Sequence, residues 1–290
     1  MQLGLHALGI GAGAHRAVID ALASSADECG FATVWAGEHV VMVDRSASRY
    51  PYADDGAIAV PAQADWLDPM IALAFAAAVS SRITIATGVL LLPEHNPVVV
   101  AKQAASLDRL SGGRLTLGVG IGWSKEEFAA LGVPFAHRAA RAAEYVAAMR
   151  TVWRDDVASF DGQFVGFDSI RVNPKPVRDR RIPIMLGGIS DPALQRIASW
   201  GDGWYGFNLE DVAAVRERVG TLSRLCDRAG RDRAELRLAV ALRSPRESDV
   251  DALAELGVDE LVLVATPPER ADAVAGWVGA LADRWLKNCR

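Results

Sequence analysis

The sequence predicts an α/β fold, specifically a (β/α)8 TIM barrel, on three observations. Strand-like and helix-like segments alternate along the whole chain, and eight β/α units can be counted. Such alternation builds a parallel sheet whose helical crossovers are right-handed. The length of 290 residues suits one barrel, since such barrels have about 250 residues and leave no strand edge uncovered. We therefore expect a single barrel domain over residues 1–290.

Apolar periodicity and turn signals define the first four units. Strands are predicted at 3–8, 31–36, 82–91 and 114–119, and helices at 15–29, 70–80, 97–110 and within 120–153. The first helix carries Val18, Leu22 and Ala26 on one face, which is the spacing of a half-buried helix. Asp68-Pro69 supplies the second helix with an N-cap and a proline at its first position.

The second half repeats this alternation after an interruption. Strands are predicted at 182–186, 203–207, 235–242 and 260–265, and helices at 191–199, 212–228, 249–256 and 269–286. Two segments do not fit the repeat and are predicted to be insertions, at 40–66 and 155–177. The second lies between strands 4 and 5, and Asp161-Gly162 within it indicates a small β-hairpin.

Composition excludes several classes of protein. Hydrophobic residues make up 51% and charged residues 23%, which are values of a packed globular chain and not of a disordered one. A net charge of −5 indicates no nucleic-acid partner, and no apolar run is long enough to span a membrane. Three widely spaced cysteines without a CxxC pair indicate neither disulfides nor a metal site, so we expect a cytoplasmic protein.

In a barrel of this type, the residues that follow the carboxyl ends of the strands carry the chemistry. That rule selects segments 6–13, 38–39, 87–89, 94–95, 120–123, 187–190 and 205–208. The first contains a G-x-G-x-x-A run at Gly9–Ala14, which is also the pattern of a dinucleotide-binding turn. An NAD-linked enzyme with an open sheet is therefore an alternative, although eight units exceed the roughly six strands of that fold.

Glu38 and His39 are the candidate acid–base pair. They stand at the end of the second strand and precede the long segment 40–66, which can shield them from water. A histidine titrates near neutral pH, so it can donate or accept a proton beside a redox centre. The alternative is a structural histidine that hydrogen-bonds a neighbouring loop.

Glycines mark two further places at the same end of the barrel. Thr87, Gly88 and Val89 end the third strand. Gly120, Gly122 and Trp123 follow the fourth strand. Where side chains are missing, a flat ligand can approach the backbone, and an indole can stack on it. A strand bulge and a narrow barrel layer are the structural alternatives.

A candidate anion site follows the fifth strand. Gly187, Gly188, Ile189 and Ser190 lead from this strand into a helix that begins with Asp191-Pro192. Free N–H groups at the start of a helix bind anions. The pattern therefore predicts a site for the phosphate of a ligand.

Together these residues resemble the bacterial luciferase-like oxidoreductase superfamily, and within it the branch that uses the deazaflavin coenzyme F420. The resemblance rests on stretches 31–39 (FATVWAGEH), 83–91 (ITIATGVLL), 97–123, 141–153 and 182–204. The order of LDRLSGGR, LGVG, GGIS and GDGW along the chain makes the resemblance specific. Beyond about residue 209 it depends on the order of secondary-structure elements alone.

The resemblance implies a barrel, often dimeric, with its cofactor at the C-terminal mouth. It implies that Gly88-Val89 forms a cis peptide against the deazaflavin, and that His39 lies beside the face that carries the hydride. Residues 187–190 would hold the phosphate of the cofactor tail, and residues 120–123 would line the ring or substrate pocket.

One position departs from characterised relatives in this superfamily. Trp123 stands where the sugar-phosphate dehydrogenases have an acidic residue, which indicates a bulkier and more apolar substrate. We therefore expect a homodimeric, F420-dependent oxidoreductase that acts on a small organic molecule, with His39 as proton donor or acceptor. An FMN-dependent luciferase-like monooxygenase and a non-catalytic relative that binds flavin or deazaflavin are the alternatives.

Overall fold

Eight parallel strands close into a barrel in a computed structural model that describes residues 1–289. The described residues contain eleven strands, of which eight form the barrel: β1 (Gln2–Leu8), β2 (Thr33–Ala36), β3 (Thr84–Thr87), β4 (Leu90–Leu91), β5 (Leu115–Gly120), β6 (Ala158–Asp161), β7 (Gly166–Ile170), β8 (Ile184–Gly187), β9 (Gly203–Leu209), β10 (Arg237–Leu242) and β11 (Glu260–Val264). The ring runs β3-β2-β1-β11-β10-β9-β8-β5, and pairing of β5 with β3 closes it. The predicted (β/α)8 barrel is confirmed.

Helices cover the outside of the barrel. They are α1 (Arg16–Cys29), α2 (Pro69–Ala78), α3 (Pro97–Leu110), α4 (Lys125–Ala130), α5 (Arg138–Arg154), α6 (Asp191–Trp200), α7 (Val212–Arg228), α8 (Asp249–Glu255) and α9 (Ala271–Trp285). The Asp68 side chain accepts a hydrogen bond from the N–H of Ile71, as an N-cap does. Gly30 ends α1 in the left-handed conformation, with φ of 94°.

The first glycine-rich loop is not a dinucleotide-binding turn. Gly11–Ala14 forms a short 3-10 helix and α1 begins only at Arg16. Because the sheet closes on itself, the open-sheet interpretation is wrong. The third strand is also shorter than predicted, since β3 ends at Thr87 and a bulge separates it from β4.

The barrel interior is filled by side chains of several strands. They are Trp35, Ala86, Met185, Tyr205, Ala239, Ala241 and Val262. At the amino ends of the strands, the buried carboxylate of Glu260 accepts hydrogen bonds from Trp35 Nε1 at 2.9 Å and Thr33 Oγ1 at 3.2 Å. It also pairs with Arg237 at 2.6 Å. This end of the barrel is closed by packing and satisfied charges.

The predicted insertions take different forms. Between β5 and β8, strands β6 and β7 pair as an antiparallel hairpin that begins its turn after Asp161. Segment 40–65 has no helix or strand, and Trp66 bridges to Ile10. The hairpin contains none of the predicted site residues, whereas segment 40–66 directly follows His39.

Three findings concern membrane-spanning helices, cysteines and metal ligands. No helix among residues 1–289 is both long enough and apolar enough to cross a membrane. Cys29 and Cys226 are free thiols, and the side chain of Cys289 lies outside the described part of the chain. Within that part, no three or more His, Cys, Asp and Glu side chains are placed to hold a metal ion.

Candidate active site

His39 follows β2 at the carboxyl end of the barrel and is fixed by a buried carboxylate. Its Nδ1 lies 2.8 Å from Glu127 Oε2, on α4. The other oxygen of Glu127 accepts the backbone N–H groups of Val40 at 2.8 Å and Val41 at 3.1 Å. Since Glu127 is fully buried, these bonds determine how the imidazole is oriented.

The second nitrogen of His39 remains available. Nε2 makes no hydrogen bond to the described residues, and the side chain is 8% exposed. The ring stands edge-on between Trp66, at a centroid distance of 4.9 Å, and Trp123, at 5.7 Å. An oriented imidazole with one free nitrogen between aromatic walls can donate a proton to a ligand or take one from it.

Glu38 is not the carboxylate that orients His39. Its two oxygens accept the N–H of Leu91 at 2.5 Å and a hydrogen bond from His95 Nε2 at 3.0 Å. Burial would lower the pKa of His95, but the hydrogen bond and charge of Glu38 outweigh it, so this pKa is raised. Glu38 therefore holds β4 and the loop after it in place.

A cis peptide bond joins Gly88 and Val89, at the position implied by the resemblance. A methyl group at Gly88 would lie 3.1 Å from the Trp35 ring and 3.3 Å from that of His6. His6 Nδ1 is hydrogen-bonded to the hydroxyl of Tyr205 at 2.8 Å, and Tyr205 stacks on Trp35. Burial lowers the pKa of His6 to about 4, so a neutral aromatic layer lies beneath the bulge.

The side chain of Val89 explains two of the predicted glycines. A methyl group at Gly120 would lie 2.6 Å from Val89 Cγ2, and one at Gly187 would lie 3.0 Å from Val89 Cγ1. These glycines thus make room for Val89. Thr87 is fully buried and donates its hydroxyl to the carbonyl of Gly118 at 2.8 Å, which ties β3 to β5.

Gly122 and Trp123 bring a second indole to the mouth. Gly122 has a φ of +76°, and a Cβ there would collide with Phe128 at 2.5 Å, so the turn requires glycine. The Nε1 of Trp123 is buried without a hydrogen-bond partner among the described residues. Buried indole N–H groups normally find a partner, so this one is an exception at the mouth.

Aromatic rings continue around the mouth from His39. Their centroid distances are 5.3 Å for Trp123–Tyr50, 5.4 Å for Tyr50–Tyr52, 5.5 Å for Tyr52–Phe207 and 6.0 Å for Phe207–His6. Burial raises the pKa of Tyr52 to about 12, so it is a neutral phenol. The mouth is therefore lined by a continuous series of flat aromatic rings.

Segment 40–66 is held over the mouth by side chains that bind its backbone. Asn208 Nδ2 donates to the carbonyl of Tyr52 at 2.8 Å. Glu126 accepts the N–H groups of Ala47 at 2.8 Å and Ser48 at 3.2 Å. Together with the Glu127 bonds at residues 40 and 41, these contacts place Tyr50 and Tyr52 at the mouth.

The start of α6 presents free N–H groups. Those of Ile189, Ser190 and Asp191 make no hydrogen bond to the described residues, and the hydroxyl of Ser190 forms no cap. Gly188 has a φ of 115°, and its carbonyl accepts a hydrogen bond from Trp204 Nε1 at 2.8 Å. Three successive free donors at a helix start suit an anionic group.

Sequence reasoning located His39 and the glycine segments but missed their supports. Glu127 is 88 residues from His39 in sequence, and only the closed barrel brings them together. Tyr50, Tyr52 and Trp66 belong to a segment without periodicity, so no pattern assigned them to the mouth. The one usable signal was their aromatic character in a segment directly after His39.

Comparison with known sequences identifies the family. The sequence pattern of the luciferase-like monooxygenase family matches residues 3–263. The uncharacterized protein Rv0953c of Mycobacterium tuberculosis is 36% identical over 263 residues, 90% of this chain and 92% of the relative. An FMNH2-dependent dimethylsulfone monooxygenase of Pseudomonas putida is 35% identical over 127 residues, 43% of this chain and 35% of the relative.

Solved structures share the same barrel. The monooxygenase RslO1 from Streptomyces bottropensis superposes over 100% of both chains with a TM-score of 0.79 and 19% identity. The F420-dependent tetrahydromethanopterin reductase from Methanopyrus kandleri gives a TM-score of 0.76 over 100% of this chain and 99% of the reductase, with 16% identity. At these identities the similarity establishes the fold.

Proposed function

Because this chain belongs to the luciferase-like monooxygenase family, we propose that it is an F420-dependent oxidoreductase. It transfers a hydride between the deazaflavin and a small organic substrate. The observation that carries the proposal is His39, whose Nδ1 is fixed by buried Glu127 while Nε2 stays free. Hydride transfer to or from a carbon–oxygen bond requires a proton at the oxygen, and an oriented imidazole moves such a proton.

The residues at the mouth fit a cofactor with a flat ring and an anionic tail. Val89 fills the space over Gly120 and Gly187 and forms an apolar floor. The free N–H groups of residues 189–191 suit the phosphate. When bound, the deazaflavin supplies or accepts the hydride, and the protein contributes orientation and exclusion of water.

The chain itself has three tasks in this proposal. His39 Nε2 gives a proton to the substrate oxygen or takes one from it, while Glu127 keeps the imidazole in one orientation. Trp123 forms an aromatic wall beside His39, with 5.7 Å between the two ring centroids. Tyr50 and Tyr52 cover the site and exclude water.

Titration of the purified protein with F420 and, separately, with FMN tests the cofactor. We expect F420 fluorescence to be quenched at micromolar concentration, and reduced F420 to be consumed with a suitable small carbonyl compound. Binding of FMN without binding of F420 would contradict the proposal.

An FMN-dependent monooxygenase is the second candidate, because one relative bears that activity in its name. Oxygen consumption with reduced FMN separates it from the first proposal. A protein that binds either cofactor but turns over neither, with any reductant, would instead be the non-catalytic relative. The cytoplasmic location expected from the cysteines stays a prediction.

We also propose that a second copy of the chain covers one face of α2. Ile71, Phe75 and Val79 are 59%, 39% and 37% exposed and lie one turn apart. The exposed Ala74 and Ala78 complete a face to which α2 itself contributes no charged side chain, and the guanidinium of Arg16 on α1 lies 4.9 Å from the centroid of the Phe75 ring at its edge. Apolar patches with polar edges mark association surfaces. Light scattering should give a dimer for the wild type and a monomer for Phe75→Glu; a monomeric wild type would refute this.

A further inference from the structure

Three cationic side chains on the helices that follow β5 and β8 have no acidic partner. Lys125 begins α4, Arg138 begins α5 and Arg196 lies in the second turn of α6. Within residues 1–289, none of the three forms an ion pair, whereas Arg150, later in α5, pairs with Asp202 at 2.9 Å. Cations that a fold leaves without carboxylates can receive an anion from outside.

Arg138 is anchored to the loop that carries Trp123. Its Nε donates to the carbonyl of Gly122 at 3.1 Å, and its guanidinium carbon lies 3.9 Å from the centroid of the Phe135 ring. Lys125 Nζ lies 5.8 Å from the same centroid. Two cations therefore share one aromatic ring, and the more buried of them is bonded to the residue that directly precedes Trp123.

The outer nitrogens of Arg138 are available to a ligand. Nη1 and Nη2 make no hydrogen bond to the described residues, and neither is among the polar atoms enclosed without a partner. The half-buried side chain of Arg196 makes no hydrogen bond in that part of the chain, and its nitrogens are likewise not enclosed. A guanidinium presents its outer N–H groups as a fork that fits a carboxylate.

Arg138 and Arg196 come from neighbouring units of the barrel. Strands β5 and β8 pair in parallel, and α5 and α6 begin on the side of their carboxyl ends. Helical side chains lean toward the start of their helix, which brings Arg196 toward the mouth. Burial, followed by the charge of Arg138, lowers the pKa of Arg196. The acid at the start of α6, Asp191, already pairs with Arg218 at 2.8 Å.

The two arginines belong to the side of the mouth formed by segment 40–66. Trp123, which follows the carbonyl that holds Arg138, contacts Tyr50 with 5.3 Å between ring centroids. Arg196 acts electrostatically on Tyr52. The phosphate of the proposed cofactor has its own donors in the free N–H groups of residues 189–191. The arginines therefore remain for a second anionic group.

We propose that Arg138 and Arg196 bind a carboxylate group of the substrate, an inference that rests on the proposed function. The substrate class is then a small organic acid whose apolar part contacts the aromatic rings of the mouth and whose carboxylate lies between the two guanidinium groups. Both arginines are binding residues and take no part in moving the hydride or the proton.

The first experiment needs no cofactor and uses benzoate, with benzamide as its uncharged counterpart of the same shape. Nuclear magnetic resonance of protein labelled with 15N-arginine, at constant ionic strength, follows the Nε–H signals of Arg138 and Arg196, assigned through Arg138→Gln and Arg196→Gln. We expect benzoate to shift both signals and benzamide to shift neither. Each variant should weaken benzoate binding by about tenfold or more.

Arg109→Gln is the matched control, because Arg109 is exposed in the last turn of α3 and loses the same charge. It should bind benzoate as the wild type does. Should Arg138→Gln not fold, Arg196→Gln suffices, since its side chain bonds to no described residue. Equal binding of benzoate and benzamide, or benzoate binding that both variants retain, would overturn the proposal.

The second experiment repeats the benzoate titration with protein saturated with F420. We expect the two arginine signals to respond as before. Loss of the benzoate response on loading would show that an anionic group of the cofactor occupies the arginines, and would overturn their assignment to the substrate. If F420 does not bind, the proposed function fails, while the cofactor-free titration still decides whether the arginines bind a carboxylate.

Discussion

The two ends of the barrel treat buried glutamates in opposite ways. At the amino ends of the strands, Glu260 is fully buried and has partners in Trp35, Thr33 and Arg237. At the mouth, Glu94 is almost as buried and has none. Burial raises the pKa of both groups, but only Glu260 has hydrogen bonds and a cation to counter it.

The difference between these two glutamates distinguishes a buried group that stabilises the fold from a buried group of the kind found at functional sites. A charge that is fully satisfied fixes neighbouring strands and does nothing else. A titratable group held in its less usual protonation state is characteristic of functional sites. The barrel places the first kind at the amino ends of its strands and the second kind at the carboxyl ends, which is the end where barrels of this architecture bind their ligands.

His39→Asn gives the largest expected effect on the mouth side of this comparison. Loss of the proton carrier should lower turnover by about 10²–10⁴-fold, with little change in thermal stability. Turnover is measured as oxidation of reduced F420 by a carbonyl substrate found by screening. His95→Asn removes the other histidine bonded to a glutamate and should reduce turnover far less. Equal losses in both variants would contradict the distinction between the two pairs.

Glu260→Ala tests the closed end. Trp35 and Thr33 would lose their acceptor, and Arg237 its partner, so we expect unfolding free energy to fall by about 3–5 kcal/mol. Urea denaturation measures this change. Glu235→Ala, nearby and exposed, should alter stability by less than about 0.5 kcal/mol. A stable Glu260→Ala with impaired turnover would reverse the assignment of the two ends.

His6 predicts a pH dependence of stability. Its pKa is about 4 in the folded protein and 6.5 ordinarily, so the unfolded chain binds more protons between these values. Stability should therefore rise with pH from about 4 to 6.5, by up to about 3 kcal/mol from this group. His6→Gln should remove that part of the dependence, as measured by urea denaturation at several pH values. An unchanged pH profile would show that His6 is not kept neutral.

Asn208→Gly gives the smallest expected effect. It removes the donor to the Tyr52 carbonyl while tolerating the φ of 57° at this position. We expect a loss of about 1 kcal/mol of local stability, seen as faster proteolysis within residues 40–66 and roughly fivefold weaker cofactor binding. Unchanged proteolysis would show that this bond does not hold the segment.

Much of the fold follows from local sequence, and the site follows only in part. The eight units were readable because each strand and helix carries its own periodicity and caps, as at Asp68 and Gly30. The end of β3 could not be predicted in this way, because the apolar run continues through the Gly88–Val89 bulge without a change in pattern. The hydrophobic pattern of a sequence does not show where the backbone geometry of a strand is interrupted, as it is at Gly88–Val89.

The partners of His39 lay beyond sequence reasoning for a different reason. Glu38 is adjacent in sequence and was expected to act with it, but neighbours along an extended segment point apart. The carboxylate that reaches the imidazole belongs to α4, and the barrel must close before the two meet. Contacts of this range are fixed by the fold as a whole.

The way in which segment 40–66 is held has a consequence for how such enzymes diversify. The fixed scaffold reaches the segment through Glu126, Glu127 and Asn208, which bind main-chain atoms of residues 40, 41, 47, 48 and 52. Main-chain N–H and C=O groups are the same whatever side chain follows, proline excepted. New residues can therefore replace Tyr50 and Tyr52 without releasing the anchors, so the lining of the mouth can be altered while the proposed proton-transfer pair, His39 and Glu127, is inherited intact.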